Sequence, residues 1–365
     1  MPHSLKSPLP ACGERARVRG YFTSAAQTSA ENRTAKFMLR YIIKRLVFAI
    51  PTLFAVSIIA FIIIQLPPGD YLTTLLADWA SQGGAVEAGT VAAMRERYGL
   101  DQPMYFQYYK WMWGILTQGD FGISFELGKP VTELIWNRLG FSLLLSLLTL
   151  CFVWAIAIPI GILSAVRQYS ISDYGATFLA FFFLAVPDFL MALSAMYIMS
   201  AWFGQSVGGL FSPDYVDAAW SFGKLIDFAK HVWLPVIVIG LGSLAALVRI
   251  MRANLLDELS KPYVTTARAK GMSEFELLIR YPVRLALNPL ISTLGWILPA
   301  VISGEIIVSV VMSLPTTGPL LLRALLAQDM YLAGSLILLI SVLTIIGTLI
   351  SDILLALTDP RIRFQ

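Results

Sequence analysis

A chain of 365 residues that is 57% hydrophobic and only 14% charged holds more apolar surface than a soluble core can hide, which excludes an ordinary water-soluble globule. Two cysteines, Cys12 and Cys151, and two histidines, His3 and His231, exclude a disulfide framework and a His-rich metal site. The net charge of +4 is small, so where Lys and Arg lie along the chain says more than their sum.

Residues 1–37 are rich in Pro, Ser and Arg without apolar periodicity and read as a disordered extension. Met38 heads a conventional membrane-protein start, Met38-Leu39-Arg40-Tyr41-Ile42-Ile43-Lys44-Arg45, and is the expected start of translation. A helix needs roughly 20 apolar residues to cross a bilayer core. Six runs of that order follow, over 47–66, 141–166, 175–203, 232–250, 290–314 and 332–357. The first is followed by Pro67-Pro68-Gly69-Asp70 rather than a small-residue cleavage site, so it is expected to stay as an anchor. The fold class is therefore an all-α integral membrane protein with about six transmembrane helices. The expected divisions are the extension 1–37, a first helix in 38–66, an external loop 67–140, and a five-helix core 141–365.

Assigning alternate loops to opposite sides places 19 of the 27 Lys and Arg on the side of both termini and 8 on the other. The positive-inside rule then makes both termini cytoplasmic, in a multi-pass protein of a bacterial-type inner membrane.

The long cytoplasmic segment 251–289 is the most patterned. Pro262 suits a first helical turn, the residues from Tyr263 to Lys270 are helix-compatible, and Gly271 is placed to end that helix in the left-handed conformation. Ser273 with Glu276 three residues on is a capping-box signature for a second short helix, which Pro282 closes or bends. A helix pair of this size at the membrane face suits a groove on a soluble partner.

The run Tyr263-Val264-Thr265-Thr266-Ala267-Arg268-Ala269-Lys270-Gly271, followed by Pro282 and Asn288-Pro289, resembles the coupling loop of ABC-importer inner-membrane permeases, in the form used by the dipeptide, oligopeptide and nickel permease family. Thr265-Thr266-Ala267 stands where the general motif has Glu-Ala-Ala, a departure similar to the peptide-type variant. The resemblance covers nearly all of 38–365 and is of the first-permease type. Tyr98-Gly99-Leu100-Asp101-Gln102-Pro103, Gln107-Tyr108, Trp111, Gly119-Asp120-Phe121-Gly122 and Ser124 are similar to the family's long external loop. So are Ser303-Gly304-Glu305 leading to Leu314-Pro315-Thr316-Thr317-Gly318, where a Gly-aliphatic pair usually replaces Thr316-Thr317, and the terminal Asp359-Pro360-Arg361-Ile362-Arg363.

The resemblance implies a type I ABC-importer permease-like core. It implies that Tyr263, Thr265, Thr266, Ala267, Arg268, Ala269, Lys270 and Gly271 couple to an ATPase. Arg268 and Lys270 are expected either to contact an acidic rim of that ATPase or to be solvated or at lipid headgroups. The implied partners are a second permease subunit in a heterodimer, two cytoplasmic ATPase subunits that hold ATP and Mg, a periplasmic solute-binding protein, and membrane lipid. No cofactor, metal or nucleic acid is expected on this chain, and no catalytic residues.

Acids inside apolar spans default to functional hypotheses. Glu305 is expected on the translocation pathway or its gate. Asp188, after Pro187, either lines the pathway or braces a helix kink by a hydrogen bond. Asp352 is expected to pair with Arg361 or Arg363. The aromatic residues from Tyr105 to Trp113 form either an interfacial belt or a docking surface for a binding protein. No phosphate loop is present: the segment from Gly122 to Lys129 has the wrong spacing, and Pro130 stands at the magnesium-binding position. ATP chemistry therefore belongs to another chain. The functional expectation is a permease of an ATP-driven, binding-protein-dependent importer for peptides or oligosaccharides. The alternatives are an ion-gradient-driven secondary transporter, or a membrane-anchored assembly subunit without a solute path.

Overall fold

The computed structural model describes residues 42–66, 102–204 and 208–358, without the side chains of 292–304 and 355–358. The readings on 1–37, Met38, 98–101 and 359–363 fall outside these residues, as do the side chains of Ser303 and Gly304. The described residues form helices in the order α1 (Ile42–Gln65), α2 (Met104–Gln118), α3 (Val131–Val166), α4 (Ile171–Ala185), α5 (Asp188–Phe203), α6 (Phe222–Leu259), α7 (Pro262–Ala269), α8 (Glu274–Leu278), α9 (Arg284–Val311), α10 (Thr317–Leu326) and α11 (Met330–Thr358). No strand occurs among them, as expected where lipid leaves backbone groups to be satisfied within helices.

Of these, α1, α3, α6 and α11 are each long and apolar enough to cross a bilayer. The expected single crossing over 175–203 is instead two helices, α4 and α5, bent by 103°. Val186 (ψ 124°) and Pro187 (ψ 140°) are both extended at the break, because the residue before a proline is pushed out of the helical region. A proline-kinked helix is thus corrected to a broken one.

Side-chain and backbone ties show which ends lie together. At one end, here the loop end, Arg252 near the end of α6 binds Asp173 at the start of α4, which also takes a hydrogen bond from Ser164 near the end of α3. Ser351 near the end of α11 donates to the Ile291 carbonyl near the start of α9 (3.2 Å). Arg45 near the start of α1 meets Asp352 in α11 at 2.6 Å. At the far end, the Gly209 amide, just after α5, donates to the Met312 carbonyl at the end of α9 (2.8 Å). Ser212 joins Asp227 near the start of α6 there, and Gln65 at the end of α1 joins Gln107 of α2. The α4–α5 pair therefore runs from the loop end to the far end as one broken crossing. With α9, six segments alternate between the two ends, and α1 starts and α11 finishes at the loop end.

The core is built on α3 and α6. A methyl group added at Gly161 would lie 2.7 Å from the Met251 side chain, and one at Gly240 would lie 3.0 Å from Phe152 and 3.1 Å from Val153. Small residues at these two points let the helices approach closely, the packing that holds helices together where lipid supplies no hydrophobic drive. A second cluster joins Phe61, Trp111, Val131, Leu321 and Leu336 from α1, α2, α3, α10 and α11.

Candidate functional site

At the loop end, α7 and α8 form the predicted helix pair for local reasons. Pro262 occupies the first turn of α7, where its missing N–H costs nothing. Gly271 follows at φ +81°, a conformation that a side chain would strain. Ser273 caps α8 by accepting from the Glu276 amide at 3.4 Å. The reciprocal half of the capping box is absent, because the Glu276 carboxylate instead accepts from Arg280 (3.0 Å). Pro282 does not close the segment: it sits in a π-turn over Ile279–Val283 that runs directly into α9. The π-turn absorbs the proline without ending the chain of helical turns.

The predicted coupling residues divide into anchored and free groups. Val264 and Leu277 are buried, and Leu278 packs against the core of the bundle. Tyr263 donates to Glu258 of α6 at 2.7 Å, and Lys261 pairs with the same carboxylate. Burial and the neighbouring Glu258 carboxylate push the Tyr263 phenol well above its ordinary range, so it stays a donor at any physiological pH. Arg268 grips Glu274 across the Gly271 turn, Nε to Oε1 at 2.5 Å and Nη2 to Oε2 at 2.9 Å. The guanidinium holds the Glu274 carboxyl below the usual range. Arg268 thus stiffens the turn rather than standing free. Thr265, Thr266, Ala269, Lys270 and Gly271 are exposed, Ala267 is half-buried, and Lys270 makes no ion pair among the described residues. Phe275, which sequence reasoning passed over, is 74% exposed on α8 beside the half-exposed Ile279. An apolar ring in a polar loop was the signal that could have found it.

Behind the loop lies a buried pair that the sequence also hid. Arg252 donates to Asp173 through Nε (2.7 Å) and Nη2 (2.8 Å), while the Tyr169 amide donates to the same carboxylate at 2.9 Å. Asp173 is buried. Four lone-pair positions are thereby used by α3, the α3–α4 turn and α6 together.

The intramembrane acids occupy different settings. Glu305 is buried between α9 and α3, where Ser146 donates to its Oε2 at 3.0 Å; its Oε1 has no partner among the described residues. One turn away, Ser142 shares a hydrogen bond with Thr317 (2.9 Å) and accepts from the Thr317 amide (2.9 Å). Asp188 opens α5 at the break, half-buried, with Gly242 of α6 facing its Oδ1. It makes no side-chain hydrogen bond among the described residues, so the kink is not braced in that way. Asp352 pairs with Arg45 of α1; its expected partners, Arg361 or Arg363, lie outside the described residues.

At the far end, Asp329 is fully buried between α10 and α11. Ser124 donates to it at 2.5 Å, and it also accepts from the amides of Glu126 (3.3 Å) and Leu332 (3.1 Å), fastening the 119–130 loop to the start of α11. Arg323 closes the same loop on Glu126 (2.5 Å). The aromatic face of α2 is divided: Tyr108 and Trp111 pack on Phe61, whereas Tyr105, Tyr109 and Trp113 are exposed. No group of side chains that could hold a metal ion occurs among the described residues.

Residues 157–364 match the model of the binding-protein-dependent transport system inner membrane component family, and residues 38–147 match its N-terminal membrane-component model. Among curated proteins, the chain is 37% identical over 328 residues to the oligopeptide transport system permease protein AppB of Bacillus subtilis, covering 90% of this chain and all of that one. It is 31% identical over 344 residues to the dipeptide transport system permease protein DppB of Escherichia coli, again with 90% of this chain and all of the relative covered. A multi-pass helical bundle with an exposed helix pair between two of its crossings, matched over almost its whole length, identifies the chain as a member of the binding-protein-dependent transport system inner membrane component family, a transport permease of the bacterial inner membrane.

Proposed function

We propose that this permease is one of two membrane subunits in an ATP-driven importer of peptides, served by a periplasmic binding protein and two cytoplasmic ATPase subunits. The single observation that carries the mechanism is the α7–Gly271–α8 pair. It is exposed, stiffened by Arg268–Glu274, and joined without a flexible linker to α6 on one side and α9 on the other. A partner that moves the pair moves two crossings. Phe275 and Ile279 supply apolar contact for an ATPase groove, with Lys270, which makes no ion pair among the described residues, as a cation of the same loop. ATP and Mg reside on the ATPase, and its closure exchanges the permease between two states.

The loop end is then cytoplasmic, as the Lys and Arg bias favours, with 38–66 as the anchor, 67–140 as the external loop and 141–365 as the core. Asp188 and Glu305 are the pathway or gate acids, and Asp188 is supported by a carboxylate at the helix break that makes no side-chain hydrogen bond among the described residues. Peptide is favoured as the solute by the printed names of the relatives.

The test is purification of the tagged chain in mild detergent, beside Gly271→Pro and a combined Thr266, Arg268 and Lys270 substitution to Ala. The normal chain should retain an ATPase, both variants should lose it, and peptide uptake should fall with it. A well-folded normal chain that retains no ATPase, yet moves solute on a proton or sodium gradient, would overturn the proposal.

A further inference from the structure

At the far end, α2, the 119–130 loop and the first turn of α11 line an open cavity of about 300 Å³. Its lining includes Lys110, Trp111, Asp120, Phe125 and Tyr331. A cation and an anion thus face one cavity, yet Lys110 and Asp120 do not pair with each other. Asp120 spends Oδ1 on the Gly122 amide (2.9 Å), which fixes its carboxylate and leaves Oδ2 without a partner among the described residues. Lys110 has no hydrogen-bond or ion-pair partner there either. The Trp111 indole is buried, and its N–H has no acceptor among the described residues.

The walls are built rather than incidental. Gly122 holds φ +88°, and a methyl group there would come within 3.1 Å of the Tyr331 ring, so only glycine lets the loop close over the phenol. Asp329 and its bond from Ser124 then clamp that loop from behind. Trp111, Phe125 and Tyr331 give the pocket an aromatic lining beside the exposed Lys110 and Asp120, a combination that suits a small molecule carrying both an ammonium and a carboxylate. A neutral polyol would leave both charges unanswered.

We propose that this cavity is an entry subsite for short zwitterionic peptides, with Asp120 taking the amino end and Lys110 the carboxylate. The inference rests on the importer reading, which places the far end on the side from which solute arrives. The aromatic lining accepts varied side chains, and the two charges select for free termini.

The full-length chain in lipid nanodiscs would be titrated by calorimetry with trialanine, with its N-acetylated and C-amidated forms, and with maltotriose. Trialanine should bind saturably, maltotriose should not, and each blocked peptide should bind about tenfold or more weakly. Lys110→Ala should relieve the penalty of C-amidation, and Asp120→Asn, which keeps the bond from the Gly122 amide, should relieve that of N-acetylation. Absence of saturable trialanine binding, equal binding of maltotriose, or binding indifferent to both substitutions would overturn the subsite. ATP-dependent peptide uptake by the assembled transporter separates the two claims: uptake without binding at the cavity sinks the subsite alone, whereas a complex that does not use ATP sinks the importer reading.

Discussion

The carboxylate of Asp173 and the guanidinium of Arg252 are 79 residues apart in sequence and make two hydrogen bonds in the bundle. Removing one member of such a pair strands the other, at a cost of about 3–5 kcal/mol. Arg252→Ala should therefore lower the thermal transition of the nanodisc-held chain markedly, and Asp173→Asn added to it should recover part of the loss. Glu305 separates folding from transport. Glu305→Gln keeps an acceptor for Ser146 and should fold normally, while Glu305→Ala should cost about 1–3 kcal/mol by leaving a buried hydroxyl unpaired. Reduced peptide uptake in the Gln variant at unchanged melting temperature would assign the acid to transport. Uptake equal to the normal chain would assign it to packing. Asp329 gives a pH dependence. Burial pushes its carboxyl above the ordinary range, against the lowering effect of the bond from Ser124. The folded state therefore holds the proton more tightly than the unfolded state. The group's contribution is most favourable below the unfolded carboxylate pKa and declines as pH rises through the folded one. Melting curves of the normal chain should lose stability from acidic towards neutral pH relative to Asp329→Asn, and parallel curves would refute this.

Elements whose cause is local were readable before the structure. Pro262, Gly271 and Ser273 each act on their own backbone within a few residues, so the boundaries of α7 and the start of α8 followed from side-chain chemistry alone. The apolar runs located the crossings for the same reason, since span length reflects bilayer thickness rather than neighbours. What stayed hidden depends on distant partners. Pro187 signalled a disturbance, but two successive extended residues turned a kink into a 103° break. Asp173 and Asp329 gave no signal in the sequence, because their partners Arg252 and Ser124 lie 79 and 205 positions away, and the Arg45 partner of Asp352 is more than 300 positions away. Phe275 was missed because exposure on a helix of five residues leaves no periodicity to read. The element-scale prediction concerns Gly318, where a methyl group would meet the Ile306 backbone at 2.8 Å. Gly318→Ala should force α10 off α9 and destabilise the chain by about 1–3 kcal/mol, measured against the neighbouring exposed Leu322→Ala as a control.

For the molecule as a whole, the two close approaches between α3 and α6 matter beyond packing. Gly161 meets Met251 and Gly240 meets Val153, so the pair is pinned at two stations 11 residues apart on α6 (251 less 240), or ~16 Å at the helical rise. Two rods joined at a single station can scissor; joined at two, they behave as a splint. Under the proposed function, a stroke delivered to α7 would therefore not be dissipated by one helix sliding along the other. It would arrive at the far end as a swing of the whole splint about whatever pivot the rest of the transporter provides, and the break at Val186–Pro187, beside that splint, would be the natural place for the strain to be taken up.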